Sequence, residues 1–327
     1  MSEPQKPIKL SADTDISVHG QRLDQAIANL FPEYSRSKLK KWILDGCVSV
    51  DGEVCTIPRR KLEGFESITV DAVADVQVEH QAQEIALDVV YEDEHILVIN
   101  KPADLVVHPG AGNSEGTILN ALLAKVPDIN TVPRAGIVHR LDKDTTGLMV
   151  VAKTLEAQTH LVEQLQSRVM SREYEAVVTG TLVAGGLVDE PIGRHATKRT
   201  LMAVRETGKP AVTHYRVMKK FRAHTHLRLK LESGRTHQIR VHMAHIKHAI
   251  VGDPAYGGRP RMPKNATEDL LNTLRAFKRQ ALHAAQLSLY HPVTEEWLTW
   301  QAPLPDDMLN LLSTLDEDTQ LHGFDHD

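Results

Sequence analysis

One acidic residue in the segment 136–147, Asp142, stands between two basic residues, Arg140 and Lys143, shortly before a Thr-Thr-Gly turn. The apolar, β-branched run 148–152 that follows predicts a buried strand, so we expect Asp142 in a loop at the start of that strand. Loops held by rigid strands often present reactive groups, and a carboxylate there could attack or stabilise an electron-poor carbon. An Asp beside Thr and Gly can also simply accept hydrogen bonds in the turn, and the segment alone leaves that alternative open.

The bulk composition predicts a soluble, cytoplasmic protein of two folded units. The chain has 327 residues, and its 41% hydrophobic content can form a sizeable core. The N-terminus has no apolar stretch behind a basic region, and no run approaches the roughly 18 apolar residues of a membrane span. Cys47 and Cys55 are too few for a disulfide framework and lack metal-site spacing, so free thiols are expected.

The net charge of −5 hides a segregation of charge along the chain. Residues 62–100 contain ten acids and no Lys or Arg, and residues 306–327 contain seven acids and no Lys or Arg. Residues 194–261 contain sixteen Lys or Arg and three acids, Glu206, Glu232 and Asp253. That basic segment favours a polyanionic partner, with a solvated sheet surface as the alternative. Its candidates for phosphate contacts are Arg194, Lys198, Arg199, Lys219, Lys220 and Arg240.

Residues 16–75 indicate a small module with two helices and a hairpin. Leu23, Ala26, Ile27 and Leu30 form an apolar helical stripe that ends before a proline. Ser35 is placed to cap a second helix with a basic outer face, and the alternating run 47–54 around Asp-Gly predicts a hairpin.

From residue 85 onward, strands and helices mix without a regular βαβ order, which favours an α+β fold with a largely antiparallel sheet. Predicted strands cover a hairpin within 88–100 and the segments 148–152, 174–178, 212–218, 226–231 and 287–290. Predicted helices cover 117–125, 157–166, 238–245 and 268–277.

Four separated segments resemble the pattern of the A/D group of pseudouridine synthases, which act on large-subunit ribosomal RNA. They are 100–110, 139–147 with its His-Arg-Leu-Asp, 172–176, and 234–242. The N-terminal module resembles the S4 RNA-binding domain in segments 21–24, 35–38 and 45–52. The resemblance implies an α+β catalytic domain with a mostly antiparallel or mixed sheet and flanking helices. The expected organisation is a tail over 1–15, an S4 domain over 16–75, a linker over 76–84, a catalytic domain over 85–305 and an acidic tail over 306–327.

The same resemblance implies that the chain isomerises uridine to pseudouridine without a cofactor or metal. Its substrate would be 23S ribosomal RNA, in the helix 69 hairpin, or a large ribosomal subunit precursor, with the enzyme acting as a monomer. The catalytic residues would be Asp142, Tyr174 against the target base, and Arg235 paired with Asp142. Base flipping and substrate contacts would involve His139, Arg140, Thr145 and Arg240. RNA contacts of the S4 domain would involve Arg22, Arg36, Lys38 and Lys41.

Other classes of protein remain open at this stage. An RNA-binding or ribosome-assembly factor would need the basic surfaces but no ionised acid facing an anionic ligand. An RNA methyltransferase would need a pocket for the methyl donor in a parallel sheet. His242, His245 and His248 raise the question of a metal site, but they spread around a helix and no acid joins them. The segment 110–112 lacks the third glycine of a dinucleotide loop.

Overall fold

The computed structural model describes residues 7–34, 36–73, 80–110, 112–198, 200–258 and 262–324. The chain divides into two compact units, residues 1–79 and 80–327. Each unit has its own hydrophobic core. None of the helices in these described ranges is long and apolar enough to span a membrane.

The first unit combines two helices with a four-stranded antiparallel sheet. Its elements are β1 (Pro7–Asp13), α1 (Leu23–Leu30), α2 (Arg36–Leu44), β2 (Val48–Val50), β3 (Glu53–Val54) and β4 (Ser67–Val73). The strand order is β1-β4-β2-β3. Part of the segment predicted as an N-terminal tail is therefore strand β1, which pairs with β4 along its whole length.

The predicted helices and hairpin of this unit are confirmed. Leu23, Ala26 and Ile27 of α1 are buried in one core with Leu39, Trp42 and Ile43 of α2. The turn between β2 and β3 contains Asp51 and Gly52, both at positive φ (52° and 80°), the conformation that favours Asp-Gly in tight hairpins. The proposed cap Ser35 lies outside the described residues.

The second unit is an α+β domain, as the sequence predicted. Its strands are β5 (Val89–Glu92), β6 (Ile96–Lys101), β7 (Thr146–Ala152), β8 (Ser171–Thr179), β9 (Gly186–Asp189), β10 (Ile192–Arg194), β11 (Met202–Val204), β12 (Val212–Lys220), β13 (His224–Leu231), β14 (Leu282–Tyr290) and β15 (Trp297–Gln301). Its helices are α3 (Ile118–Lys125), α4 (Leu155–Gln166), α5 (Gln238–His245), α6 (Glu268–Ala276) and α7 (Asp306–His322).

A nine-stranded sheet organises this unit, in the order β5-β6-β7-β14-β8-β13-β12-β9, and β15 pairs with β14. β10 and β11 form a separate two-stranded sheet. Among the described strands, β7 and β14 make the parallel pair and the other pairings are antiparallel. The sheet is therefore largely antiparallel, as expected from the sequence.

Strand β7 follows the Asp142 loop and is buried along its whole length. A Cβ atom at Gly147 would lie 2.3 Å from the carbonyl oxygen of Ala284, and the residue has a φ of 111°. The glycine of the Thr-Thr-Gly turn is thus required where β7 meets β14, because any side chain would collide with the β14 backbone. This close approach fixes the start of β7, and with it the loop that carries Asp142.

The predicted acidic C-terminal tail is instead, over most of its length, helix α7, packed on the second unit. Its side chains Met308, Leu311 and Leu315 are buried in the main core. Two of its acids pair with cations of the basic segment, since Asp316 lies 2.7 Å from the Lys219 ammonium and Asp318 lies 3.2 Å from the Arg222 guanidinium. Some acidic and basic residues that are far apart in the sequence therefore form ion pairs in the fold.

Candidate active site

A pocket of about 310 Å³ opens in the second unit beside the Asp142 loop. It is built from the loop before β7, from β8, and from the segment that leads into α5. Its polar lining includes Arg134, His139, Arg140, Asp142, Thr145, Arg172, Tyr174, Arg235, His237, Gln238 and Arg240. Segments that are distant in the sequence, including three of the four family-like ones, thus converge on one cavity.

A buried lysine, Lys101, stabilises the Asp142 loop. The Lys101 Nζ atom donates hydrogen bonds to the carbonyl oxygens of Pro102, Leu105 and Lys143, at 2.7, 2.9 and 2.7 Å. Burial lowers the pKa of Lys101 to about 7, against the attraction of nearby acids. The Asp142 carbonyl accepts from the Thr145 backbone N–H at 3.0 Å, which closes the turn. The carboxylate of Asp142 is left pointing to the pocket, with 17% of its side chain exposed.

The charge partner of Asp142 is Arg240 of helix α5. The Arg240 Nη1 atom donates to Asp142 Oδ2 at 2.8 Å, while its Nε and Nη2 atoms donate to the Asp253 carboxylate at 2.7 and 3.0 Å. Burial by itself would lower the pKa of Arg240, but the hydrogen bonds and charges of the two acids outweigh it and raise that pKa. One permanently charged guanidinium is therefore shared between two carboxylates.

Asp253 is the acid that holds Arg240 in place. Its side chain is 0% exposed. Burial alone would raise its pKa, but the Arg240 hydrogen bonds and charge, with the backbone N–H groups of Tyr256 and Ala255, keep that pKa below its usual range. The sequence motifs gave Asp253 no role, although it is one of three acids within the basic segment 194–261. An isolated acid within a basic segment was the sequence feature that could have identified Asp253 as a partner of a cation.

The predicted pairing of Asp142 with Arg235 is wrong. Arg235 lines the pocket, but its Nε atom donates to the Pro210 carbonyl at 3.1 Å. Both arginines lie in the same motif, five residues apart, but Arg235 precedes α5 whereas Arg240 lies within it, and it is Arg240 that reaches Asp142. Arg240, proposed as a substrate or phosphate contact, is buried and bound to two carboxylates, so it supports Asp142 instead.

His237 and Tyr256 complete the surroundings of the carboxylate. His237 precedes α5 in the left-handed conformation, with φ 58°. Its Nε2 atom lies 3.8 Å from Asp142 Oδ1, and its Nδ1 atom is 2.8 Å from the Tyr256 hydroxyl. Burial lowers the pKa of His237 against the attraction of Asp142, which favours the neutral ring. The Tyr256 hydroxyl also accepts from the Met202 backbone N–H at 2.9 Å.

Tyr174 occupies β8 and is both a core residue and part of the pocket lining. It is 5% exposed and belongs to the main core cluster. Burial raises the pKa of its phenol, with Arg172 opposing that effect and Asp142 adding to it. The ring is therefore neutral at physiological pH, and it lies within electrostatic reach of both charges.

The other residues of the Asp142 motif differ in their surroundings. Arg140 is exposed and lines the pocket, so its side chain is available to a ligand. His139 accepts from the Val150 backbone N–H at 3.1 Å, and burial lowers its pKa to about 3, so the neutral ring ties the motif to β7. The Thr145 hydroxyl accepts from Gln280 at 3.0 Å, which makes Thr145 a support of the turn.

The basic residues predicted to contact RNA are mostly at the surface. Arg36 and Lys41 of the first unit are exposed, Arg22 pairs with Asp24 at 2.6 Å, and Lys38 lies over the rings of Tyr34 and Trp42. In the second unit, the exposed candidates are Arg194, Lys198, Lys219 and Lys220. Arg199 lies outside the described residues.

The histidine group that raised the question of a metal is dispersed. His242 is fully buried, and its two ring nitrogens are 2.9 Å from the Thr213 hydroxyl and the Glu190 carbonyl. His245 points to the Glu190 carboxylate at 4.0 Å. Within the described ranges, no group of three or more His, Cys, Asp or Glu could hold a metal ion.

Comparison with known proteins gives the class of the chain. Residues 95–245 match the family described as RNA pseudouridylate synthase, and residues 21–68 match the S4 domain. The human protein RNA Pseudouridylate Synthase Domain Containing 4 has a similar structure, with a TM-score of 0.56 and 26% identity over 70% of this chain and 93% of that one. The chain belongs to the RNA pseudouridylate synthase family, and it is an enzyme of that class with an S4 RNA-binding domain.

Two relatives match this chain over nearly its whole length. "Ribosomal large subunit pseudouridine synthase D" of Escherichia coli (strain K12) is 61% identical over 96% of this chain and 97% of that protein. The protein of the same name from Pasteurella multocida (strain Pm70) is 60% identical over 98% of this chain and 99% of that protein. Both relatives are thus named as pseudouridine synthases of the large ribosomal subunit.

Proposed function

We propose that this chain converts uridines of 23S ribosomal RNA, in the helix 69 hairpin, to pseudouridine, with Asp142 as the reacting carboxylate. The observation that carries the proposal is the Asp142–Arg240 pair at 2.8 Å in a pocket that Tyr174 also lines. The full-length identity to two large-subunit synthases supports ribosomal RNA as the substrate. A large ribosomal subunit precursor as substrate, cytoplasmic location and a monomeric state are parts of the same proposal.

The reaction breaks the bond between uracil N1 and ribose C1′, turns the base, and joins C5 to C1′. Asp142 can attack or stabilise the electron-poor sugar or base carbon, as carboxylates do in glycosidases. RNA that fills the pocket would exclude water from the carboxylate. The Arg240 guanidinium, 2.8 Å from Asp142 Oδ2, then remains as its hydrogen-bond donor and opposite charge.

Tyr174 and Arg140 would act on the base. The phenol of Tyr174 lines the same pocket as Asp142, and it would lie against the flipped uracil. Because its pKa is raised by burial, it can pass on the C5 proton only by accepting one proton while it gives up its own. Arg140 is exposed at the same pocket, and would fill the space that the flipped nucleotide leaves. Flipping costs a few kcal/mol, so backbone contacts by basic residues of both units would contribute.

Replacing Asp142 by Asn tests the role of the carboxylate, because the shape remains and the charge is lost. We expect pseudouridine formation to disappear while the affinity for RNA stays near that of the wild type. Each protein is incubated with labelled 23S RNA, and the positions of pseudouridine in the RNA are then mapped. Retained turnover in the Asn variant would overturn the role of Asp142, and product outside helix 69 would overturn the proposed target.

A further inference from the structure

Arg172 places a partly buried guanidinium in the pocket, without a protein partner among the residues described. It stands two residues before Tyr174 on β8, so both side chains project from the same face of the strand. Its Nε atom is buried and has no hydrogen-bond partner among the residues described. Within the same described ranges, its guanidinium also forms no ion pair or other hydrogen bond. By contrast, Arg240 and Arg235 of the same pocket bind protein acceptors.

The backbone around Arg172 makes room for this group. A Cβ atom at Gly234 would lie 2.8 Å from Arg172 Nη1, and Gly234 also lines the pocket. The glycine therefore allows the segment before α5 to approach the guanidinium closely. The pocket lining also includes the apolar side chains of Val138, Leu165 and Leu231, which offer no acceptor. A half-buried cation without a partner is costly, so the arrangement points to an acceptor that arrives with the ligand.

The position of Arg172 relative to Tyr174 indicates which part of the ligand it would meet. Tyr174, Arg172 and Asp142 line the same pocket, and the two charges shift the pKa of the Tyr174 phenol in opposite directions. A base against Tyr174 thus has Asp142 and Arg172 within reach. A guanidinium only donates hydrogen bonds, which suits the O2 and O4 carbonyls of uracil. The amino group that cytosine carries at C4 is also a donor, and it would be repelled.

We propose that Arg172 donates hydrogen bonds to the O4 carbonyl oxygen of the target uracil, selects uracil over cytosine, and stabilises the base while it is detached. The inference rests on the proposed placement of the base against Tyr174. When the N1–C1′ bond breaks, its electron pair stays with the base, which becomes a uracil anion with charge on O2 and O4. Arg172 balances that charge, and Asp142 balances the electron-poor sugar carbon. When C5 joins C1′, the electron pair returns to a C–C bond, C5 loses its proton, and N1 gains one.

Binding measurements separate this role from a general charge effect. Helix 69 hairpins with uridine or cytidine at the target position are titrated against the Asp142→Asn protein, which leaves uridine unmodified. We expect tighter binding of the uridine hairpin, and loss of that preference, by about tenfold to hundredfold, when Arg172→Met is added. Arg216→Met, an exposed arginine on β12, removes the same charge and should preserve the preference. Gly234→Ala, which displaces the guanidinium without removing it, should reduce the preference in part.

A rescue experiment measures the charge itself in the active enzyme. Methylguanidinium chloride added to Arg172→Ala should restore part of the pseudouridine formation, whereas sodium chloride at the same ionic strength should not. Thermal unfolding of each variant verifies folding, and Arg172→Lys, which keeps the charge, gives a second test with a partial effect expected.

Three results would overturn the inference. They are an unchanged preference for uridine in Arg172→Met, an absence of rescue, and equal weakening of both hairpins with a salt slope reduced by about one, which would identify a phosphate contact instead. Absence of pseudouridine formation by the wild type would refute the proposed function, and the binding preference would still report on Arg172.

Discussion

Replacing Arg240 by Met should unfold the protein more easily and stop turnover, because the change leaves two carboxylates without their shared cation. Asp253 is fully buried and the Arg240 side chain is 8% exposed, so solvent cannot replace the guanidinium. Removing one partner of such a buried pair costs about 3–5 kcal/mol. For a domain of this size, that corresponds to a fall in Tm of roughly 6–20 °C. Circular dichroism during heating, and pseudouridine formation at a temperature where the variant is folded, measure the two effects.

The pH dependence of this variant gives an independent check. Without Arg240, burial dominates at Asp253, so its folded pKa should rise above the unfolded value. The folded variant then binds more protons than the unfolded chain, and its stability should fall as the pH rises through that raised pKa. The deficit relative to the wild type should therefore be smaller at pH 5 than at pH 7.5. Asp253→Asn combined with Arg240→Met should recover part of the stability at pH 7.5.

Arg235→Met is the matched control, since it removes an arginine of the same motif whose Nε atom donates to the Pro210 carbonyl. It should cost about 1 kcal/mol and leave the pH dependence of stability unchanged. Either of two results would refute the shared role of Arg240. One is a cost of less than about 1 kcal/mol for Arg240→Met, and the other is an Arg235→Met variant with the same stability loss and pH dependence.

The contacts of Glu175, Lys101 and the first unit support three further predictions. Glu175→Gln should lose roughly 3 kcal/mol of stability in urea at pH 7, since hydrogen bonds from His226 and Arg228 lower the pKa of Glu175 from 4.5 to about 2. The stability difference between wild type and variant should be complete above about pH 4.5 and should vanish as the pH falls toward 2. A stability difference that does not change with pH would contradict this prediction. Lys101→Met leaves three carbonyls without a donor and should destabilise by roughly 2 kcal/mol or more in urea while slowing turnover; unchanged unfolding would show that the carbonyls find other donors. Removal of residues 1–79 should weaken RNA binding or relax site choice more than it slows the chemistry, as measured by titration and pseudouridine mapping; equal binding and equal selectivity would exclude this role of the S4 domain.

Local sequence patterns determined most of the secondary structure of this protein. Apolar spacing predicted α1–α6, and β-branched runs predicted the main strands, because these signals depend on neighbours only a few residues away. Two packed elements were missed at the chain ends. Strand β1 and helix α7 lie in segments whose polar composition is typical of exposed tails. Strand β1 is ordered by pairing with β4, and α7 is buried against the core of the second unit.

Part of the candidate site was likewise predictable from the sequence, and part was decided only by the fold. The motif around Asp142 indicates a reacting carboxylate, whereas the need for glycine in its turn comes from the close approach of β7 to β14, strands that are distant in the sequence. Two arginines in one motif are chemically equal in the sequence, and only the fold shows that Arg240 of α5, rather than Arg235 before it, reaches Asp142.

The tertiary structure also brought together groups that no local pattern connects. Asp253 holds Arg240, and Lys101 holds the Asp142 loop, through contacts between separate segments. Two acids of α7 pair with cations of the basic segment. Electrostatic interactions act through space rather than along the chain, so the sequence determines which charges exist, and only the fold determines which of them meet.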